Sequence, residues 1–311
     1  EIPLFDLGRK QGLVNLGEGR DEALAVDEKT FRKELDDLIS HHHQLDAFIF
    51  FKLVHRAYEK ALGNSDQKDV IFYHIHNPDA CAQLNFKRAA PQADWLVMVR
   101  EPIQSCESWV YPYYRTQDYP EITAGVLTML FNIDAIIFDG TDAVGVRLED
   151  LKNHPKKTMT ALCDWMGIEE EGILYEMTAQ GKRWWGNSSD PDLKKDHMTP
   201  FGKTSIQRKV GSVFSERDQF VLRTLFYPFS VRFGYVDENL EQFKCDLQDI
   251  RPMLEEMFDF ERTIVNQSNL DDGQLEKSGS YRYLRSCMIE RWNILNEHQT
   301  YPNMLKPLRI K

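Results

Sequence analysis

Trp95-Leu96-Val97-Met98-Val99-Arg100-Glu101-Pro102-Ile103-Gln104-Ser105-Cys106-Glu107-Ser108 is the stretch whose reading decides the fold class. Its first five residues form an unbroken apolar run, the pattern of a strand buried on both faces of a parallel sheet. Pro102 follows where the first helical turn tolerates a residue without an N–H. Strand, turn and helix in so short a span make half of a βαβ unit, and the flanking sequence repeats the theme. Upstream, Val70-Ile71-Phe72-Tyr73 is β-branched and aromatic and stops before Pro78, which predicts a strand. A helix from Asp79 to Ala90 joins the two. Downstream, Val126, Leu127, Leu130, Ile133 and Ile137 recur at helical spacing between Glu121 and Phe138, and Gly140 closes the segment. A third strand, Ala143 to Leu148, precedes an amphipathic helix from Lys156 to Met166 that ends at Gly167. Strands separated by helices imply a parallel sheet with right-handed crossovers.

Outside this core, Phe31 to Ser40 and Leu45 to Leu62 carry helical periodicity. Beyond Asp237 the chain reads as helical from Leu240 to Phe258, a polar loop around Asn266 to Gly279, and a last helix from Tyr281 to Leu295. The expected organisation is an α/β domain over residues 1–236 and a helical extension over 237–311. With 42% hydrophobic and 28% charged residues, the 311-residue chain is neither disordered nor collagen-like. Lys+Arg 38 against Asp+Glu 49 gives a net charge of -11, which argues against nucleic acid as a partner except through a local patch. No apolar run approaches the roughly 20 residues that span a bilayer. Cys81, Cys106, Cys163, Cys245 and Cys287 are isolated and never form a CxxC pair. That pattern argues against a disulfide framework or a structural zinc and points to a reducing, cytoplasmic setting.

The candidate chemistry starts at Arg100. An arginine at the carboxyl end of a parallel strand stands on the rim where α/β proteins bind ligands. Ser108 lies about two helical turns further on, and an arginine fork with a hydroxyl can clamp a phosphate. A surface ion pair is the competing reading of Arg100 taken alone. Two further segments shift the balance: Leu148-Glu149-Asp150-Leu151 through Pro155, and Arg208-Lys209-Val210-Gly211, where two cations flank a glycine that lets backbone approach an anion.

Taken together and in this order, the three segments resemble those of the sulfotransferases that use 3′-phosphoadenosine 5′-phosphosulfate (PAPS). In that family an R-x7-S stretch binds the donor's 3′-phosphate, a "YEDL…P" stretch follows the next strand, and an "RKxG" loop returns to the 3′-phosphate. The resemblance covers about Ile71 to Tyr235. It implies a three-layer α/β fold with a parallel sheet, like the P-loop nucleotide kinases and sulfotransferases, followed by the helical C-terminal extension. It also implies sulfuryl transfer from PAPS to a hydroxyl or amine, with adenosine 3′,5′-bisphosphate as product and no metal. The acceptor would be a small molecule, a carbohydrate or a lipid. Donor binding falls to Arg100, Ser108, Arg208, Lys209 and Gly211.

Such a transfer needs a base for the acceptor's proton. His74 and His76 flank Ile75, so on a strand both would point to one face. The resemblance makes His76 the base and sets His74 where a lysine often assists, while Glu18 is the alternative base by likeness to some bacterial members. Trp109, Tyr113, Trp184 and Trp185 offer flat rings to a sugar or aromatic acceptor, with core packing as the competing reading. Two departures stand out. Leu148 replaces the family's tyrosine, which touches adenine. The family's "PKSGTT"-like phosphosulfate loop is missing from its place and is expected upstream of Glu1. Lys277-Ser278-Gly279-Ser280 mimics it but follows a polar stretch instead of a strand. The rival readings are a degenerate nucleotide-binding module without catalysis and a nucleotide-dependent phosphoryl transferase. The second would need a magnesium-binding acid and a complete Walker loop.

Overall fold

A computed structural model describes residues 14–23, 26–64, 70–75, 80–132, 143–186, 200–203, 206, 209–268, 272–300 and 305–310. The described strands are β1 (Val14–Leu16), β2 (Glu22–Ala23), β3 (Trp95–Val99), β4 (Ala143–Arg147), β5 (Thr178–Ala179), β6 (Lys182–Arg183) and β7 (Lys306–Pro307). The helices up to Met166 are α1 (Glu28–Ser40), α2 (Ala47–Ala61), α3 (Ala80–Ala89), α4 (Pro102–Thr116), α5 (Tyr119–Asn132), α6 (Leu148–Asn153) and α7 (Pro155–Met166). Those beyond it are α8 (Glu216–Leu225), α9 (Tyr227–Arg232), α10 (Leu240–Met253), α11 (Asp259–Ser268), α12 (Asp272–Lys277) and α13 (Gly279–His298). The chain forms two compact units, Glu1–Pro91 with Cys163–Gly202 and Gln92–Leu162 with Lys203–Lys311.

The second unit holds a parallel three-strand sheet in the order β3-β4-β7. β3 and β4 run in register from Trp95↔Ala143 to Val99↔Arg147, and β4 meets β7 at Val144↔Lys306 and Gly145↔Pro307. The chain is therefore α/β, with a small parallel sheet among many helices. The burial of β3 is one-sided, which corrects the expectation of burial on both faces. Trp95, Val97 and Val99 pack on the core, whereas Met98 on the other face is exposed. The fully enclosed strand is the central one, β4, whose Ala143, Val144 and Val146 are all buried. At Gly145 a Cβ would lie 2.5 Å from the Phe233 ring and 2.9 Å from Leu305. A Gly145→Ala variant should therefore lose about 1–3 kcal/mol through overpacking. Urea unfolding reads this directly, and an unchanged midpoint would refute the close contact.

The helices beyond Asp237 are not a separate extension. Phe243, Leu247, Ile250, Leu284, Met288 and Leu295 share one core with Val99, Ile103 and Phe226, so the unit runs across the expected division at residue 236. The stretch read as a polar loop is largely helical, formed by the end of α11, by α12 and by the start of α13. Ser278 is the N-cap of α13, accepting from Tyr281 N at 3.2 Å, so Lys277 to Ser280 is a helix junction, not a phosphate loop. Between these helices lies a buried polar cluster. Tyr119 donates to Glu261 at 2.6 Å, Phe258 N donates to the same carboxylate at 2.7 Å, and Arg285 pairs with it. Burial first, and the Glu261 charge next, push the Tyr119 hydroxyl well above its ordinary pKa.

In the first unit, α1 and α2 pack around Phe31, Val54 and Ala57. Asp27 and Asp46 cap these helices, accepting from Thr30 N and Ile49 N at 2.7 Å each. The hairpins β1–β2 and β5–β6 are joined by a bridge from Leu16 to Trp184. Residues 70–75 form no strand. Val70, Phe72 and Tyr73 are exposed, and the Tyr73 ring packs on Phe51 and Phe86 at 5.2 and 5.4 Å. A strand needs a paired neighbour for its backbone groups, and this segment belongs to none of the described sheets. The third strand of the sheet comes instead from Lys306–Pro307. The expected helix from Asp79 is present as α3, and the expected helix to Phe138 as α5, with Asp79 and Ile133 to Gly140 outside the described residues.

Candidate functional site

The carboxyl ends of β3 and β4 lie side by side because the strands are parallel and in register. At the end of β3, Glu101 caps α4 by accepting from Gln104 N at 2.6 Å. Its own N–H donates to Glu149 at 3.1 Å, and the other oxygen of Glu149 accepts from the Tyr235 hydroxyl at 2.9 Å. Arg147, the last residue of β4, lies over the Tyr235 ring at 4.5 Å and donates to Phe233 O at 3.0 Å. These contacts brace the rim.

Arg100 leaves the end of β3 half-buried, and its Nε donates to Gln104 Oε1 at 2.9 Å. Gln104 and the half-buried Ser108 are four residues apart on α4, so they share a helix face. The glutamine thus ties the guanidinium to the helix that carries the serine hydroxyl. One residue before Ser108, the carboxylate of Glu107 is buried and accepts from Gly211, Ser212, Val213 and Phe214 N at 3.0–3.3 Å. Gly211 has φ +117°, a conformation that an L side chain would strain. Lys209, two residues earlier, is exposed. Through Glu107, the structure places the Gly211–Phe214 turn against α4, the helix that carries Ser108 and Gln104, the partner of Arg100. Two cations, a hydroxyl and a glycine-bearing turn suit a phosphate monoester.

The other proposed residues divide as follows. Trp109 and Tyr113, four apart on α4, form an exposed aromatic face at 41% and 39% accessibility. Glu18, His74, Trp184 and Trp185 belong to the first unit. Glu18 is exposed in the β1–β2 turn, and His74 is exposed in a segment that is not a strand, which removes the shared-face argument for the two histidines. His76 and Arg208 lie outside the described residues. Trp185 is buried, donates its ring N–H to Gly17 O at 2.7 Å, and has Arg20 and Arg183 over its ring at 4.1 and 3.9 Å. It packs the two hairpins together, and its ring is occupied by the chain's own cations, so it is not a stacking platform. Trp184 is half-buried, its backbone N–H bonded to Met177 O at 2.7 Å.

Sequence reasoning passes over Gln104, Glu107 and Tyr235. Gln104 sits four residues after Arg100, a helical spacing that does carry a signal. Glu107 carries none, since its backbone partners begin 104 residues away. Among the described residues no group of three or more His, Cys, Asp or Glu is placed to hold a metal ion, and no helix is long and apolar enough to cross a membrane. No family model, curated protein or solved structure matches this chain.

Proposed function

We propose that the second unit binds the 3′-phosphate of an adenine nucleotide and that the protein is a sulfotransferase using PAPS. The observation that supports this reading is the anchoring of the Gly211–Phe214 turn on Glu107 of α4, the helix that also carries Ser108 and Gln104, the partner of Arg100. In this reading the fold is a three-layer sheet domain of the nucleotide-kinase and sulfotransferase kind. Arg100 supplies a fork for two phosphate oxygens, Ser108 a hydroxyl, Lys209 a point charge and Gly211 an unobstructed backbone. The carboxylates of Glu101, Glu107 and Glu149 accept from backbone N–H groups or the Tyr235 hydroxyl, so their charge is partly offset where a phosphate has to bind. PAPS supplies an activated sulfuryl group, and the chain must supply an acceptor for the proton of the attacking hydroxyl or amine. That role falls to His76, with Glu18 as the alternative, both on the resemblance. Trp109 and Tyr113 offer the acceptor an aromatic face.

The test is a comparison of nucleotides by calorimetry. Adenosine 3′,5′-bisphosphate should bind at least about tenfold more tightly than adenosine 5′-monophosphate, because each charge-assisted contact contributes about 1.5–3 kcal/mol. Equal affinities would overturn the proposal.

A further inference from the structure

Glu107 is the least expected group near this rim. A glutamate on a helix normally faces water, yet this one is 5% exposed and takes bonds from four successive backbone N–H groups, Gly211 to Phe214. Converging N–H groups of this kind form a nest, a concavity that binds anions. Here the anion belongs to the chain. Beyond the nest, Val213 and Phe214 are buried in the core, so one end of the loop is anchored by packing. The other end carries Gly211 and Lys209, both exposed, on either side of Val210, which is partly buried against the same core. The carboxylate of Glu107 holds the backbone of the turn itself, from Gly211 to Phe214. Bonds from N–H groups to an ionised acceptor are shorter and stronger than neutral ones, and several of them share this one group.

We infer that Glu107 is a positioning residue for the phosphate clamp: by filling the nest of Gly211 to Phe214, it fixes Lys209 and Gly211 beside the Arg100–Gln104–Ser108 row. This rests on the nucleotide reading above and adds to it a residue that touches no ligand. Its consequence is selective. Recognition of the 3′-phosphate depends on Glu107, whereas affinity for the rest of the nucleotide does not.

The experiment measures both nucleotides on Glu107→Gln, which keeps the size and one acceptor oxygen but turns an NH₂ toward the N–H donors. The preference for adenosine 3′,5′-bisphosphate over adenosine 5′-monophosphate should fall at least about tenfold while monophosphate affinity stays near wild type. Glu107→Asp should restore part of the preference, since it keeps the charge. A Glu107→Gln protein that melts lower but keeps the full preference overturns the inference and leaves the nucleotide reading standing. A wild-type protein without any preference overturns both. Should Glu107→Gln fail to fold, Gly211→Ala disturbs the same turn through its backbone, and a preserved preference there overturns the inference equally.

Discussion

Arg285→Leu lowers the folding stability of the second unit by about 3–5 kcal/mol, the largest single-residue effect expected away from the rim. The reason is the company Arg285 keeps. Glu261 is fully buried and pairs with Arg285, itself 6% exposed, while Tyr119 and the backbone of Phe258 donate to the same carboxylate. Removing the guanidinium leaves a buried carboxylate without its counter-charge, and taking an unpaired charge out of water is far costlier than losing a neutral hydrogen bond. The variant also loses the stacking of Arg285 over Phe258 and Tyr281, at 4.5 and 4.6 Å. Urea unfolding at neutral pH gives the number. The double variant Arg285→Leu with Glu261→Leu should recover part of the loss, because both charges leave together, though the Tyr119 hydroxyl and Phe258 N–H then lack an acceptor. A single variant within about 1 kcal/mol of wild type would show that the pair contributes no more than an exposed one.

Arg100→Ala should weaken adenosine 3′,5′-bisphosphate by tenfold to more than a hundredfold, equivalent to about 1.5–3 kcal/mol, with little change for adenosine 5′-monophosphate. Gln104 holds the guanidinium at its Nε, an arrangement that pre-orders the side chain and reduces the rotamer entropy lost on binding. Arg100→Lys keeps the charge but lacks the planar fork, so it should fall between alanine and wild type. Calorimetry on the three proteins checks the order. An equal loss for both nucleotides would mean that Arg100 attracts anions in general and does not read the 3′-phosphate. Stability should barely move, since the side chain is half-buried and outside the core.

Part of the candidate site was legible because the elements that carry it are local. The apolar run from Trp95 predicts a strand, Pro102 predicts the start of a helix, and both are found there. The pattern Arg100 to Ser108 needs only that junction to place a guanidinium against Gln104 and a hydroxyl one turn further along α4. The loop from Lys209 to Gly211 could be named from its composition, but what holds it could not. Trp185 misleads for a related reason. An indole rich in apolar surface suits a ligand or a core equally, and only the Arg20 and Arg183 guanidiniums over its ring decide between them.

The residues by themselves determined the elements whose causes lie within a few positions: β3 and β4 from their apolar runs, α4 from Pro102, and α7 from its periodicity and Gly167, which ends it at φ +66°. Tertiary structure alone decided which strand completes the sheet. Residues 70–73 have the better strand composition, but Lys306–Pro307 has the neighbour, because backbone pairing depends on a partner and not on propensity. The same holds for the one-sided burial of β3, whose Trp95, Val97 and Val99 meet the core while Met98 is exposed, and for the helices beyond Asp237, whose apolar faces close on the sheet's own core. Glu107 is the extreme case. Its meaning lies in four N–H groups more than a hundred residues downstream, and no pattern along the chain records which backbone a buried carboxylate will meet.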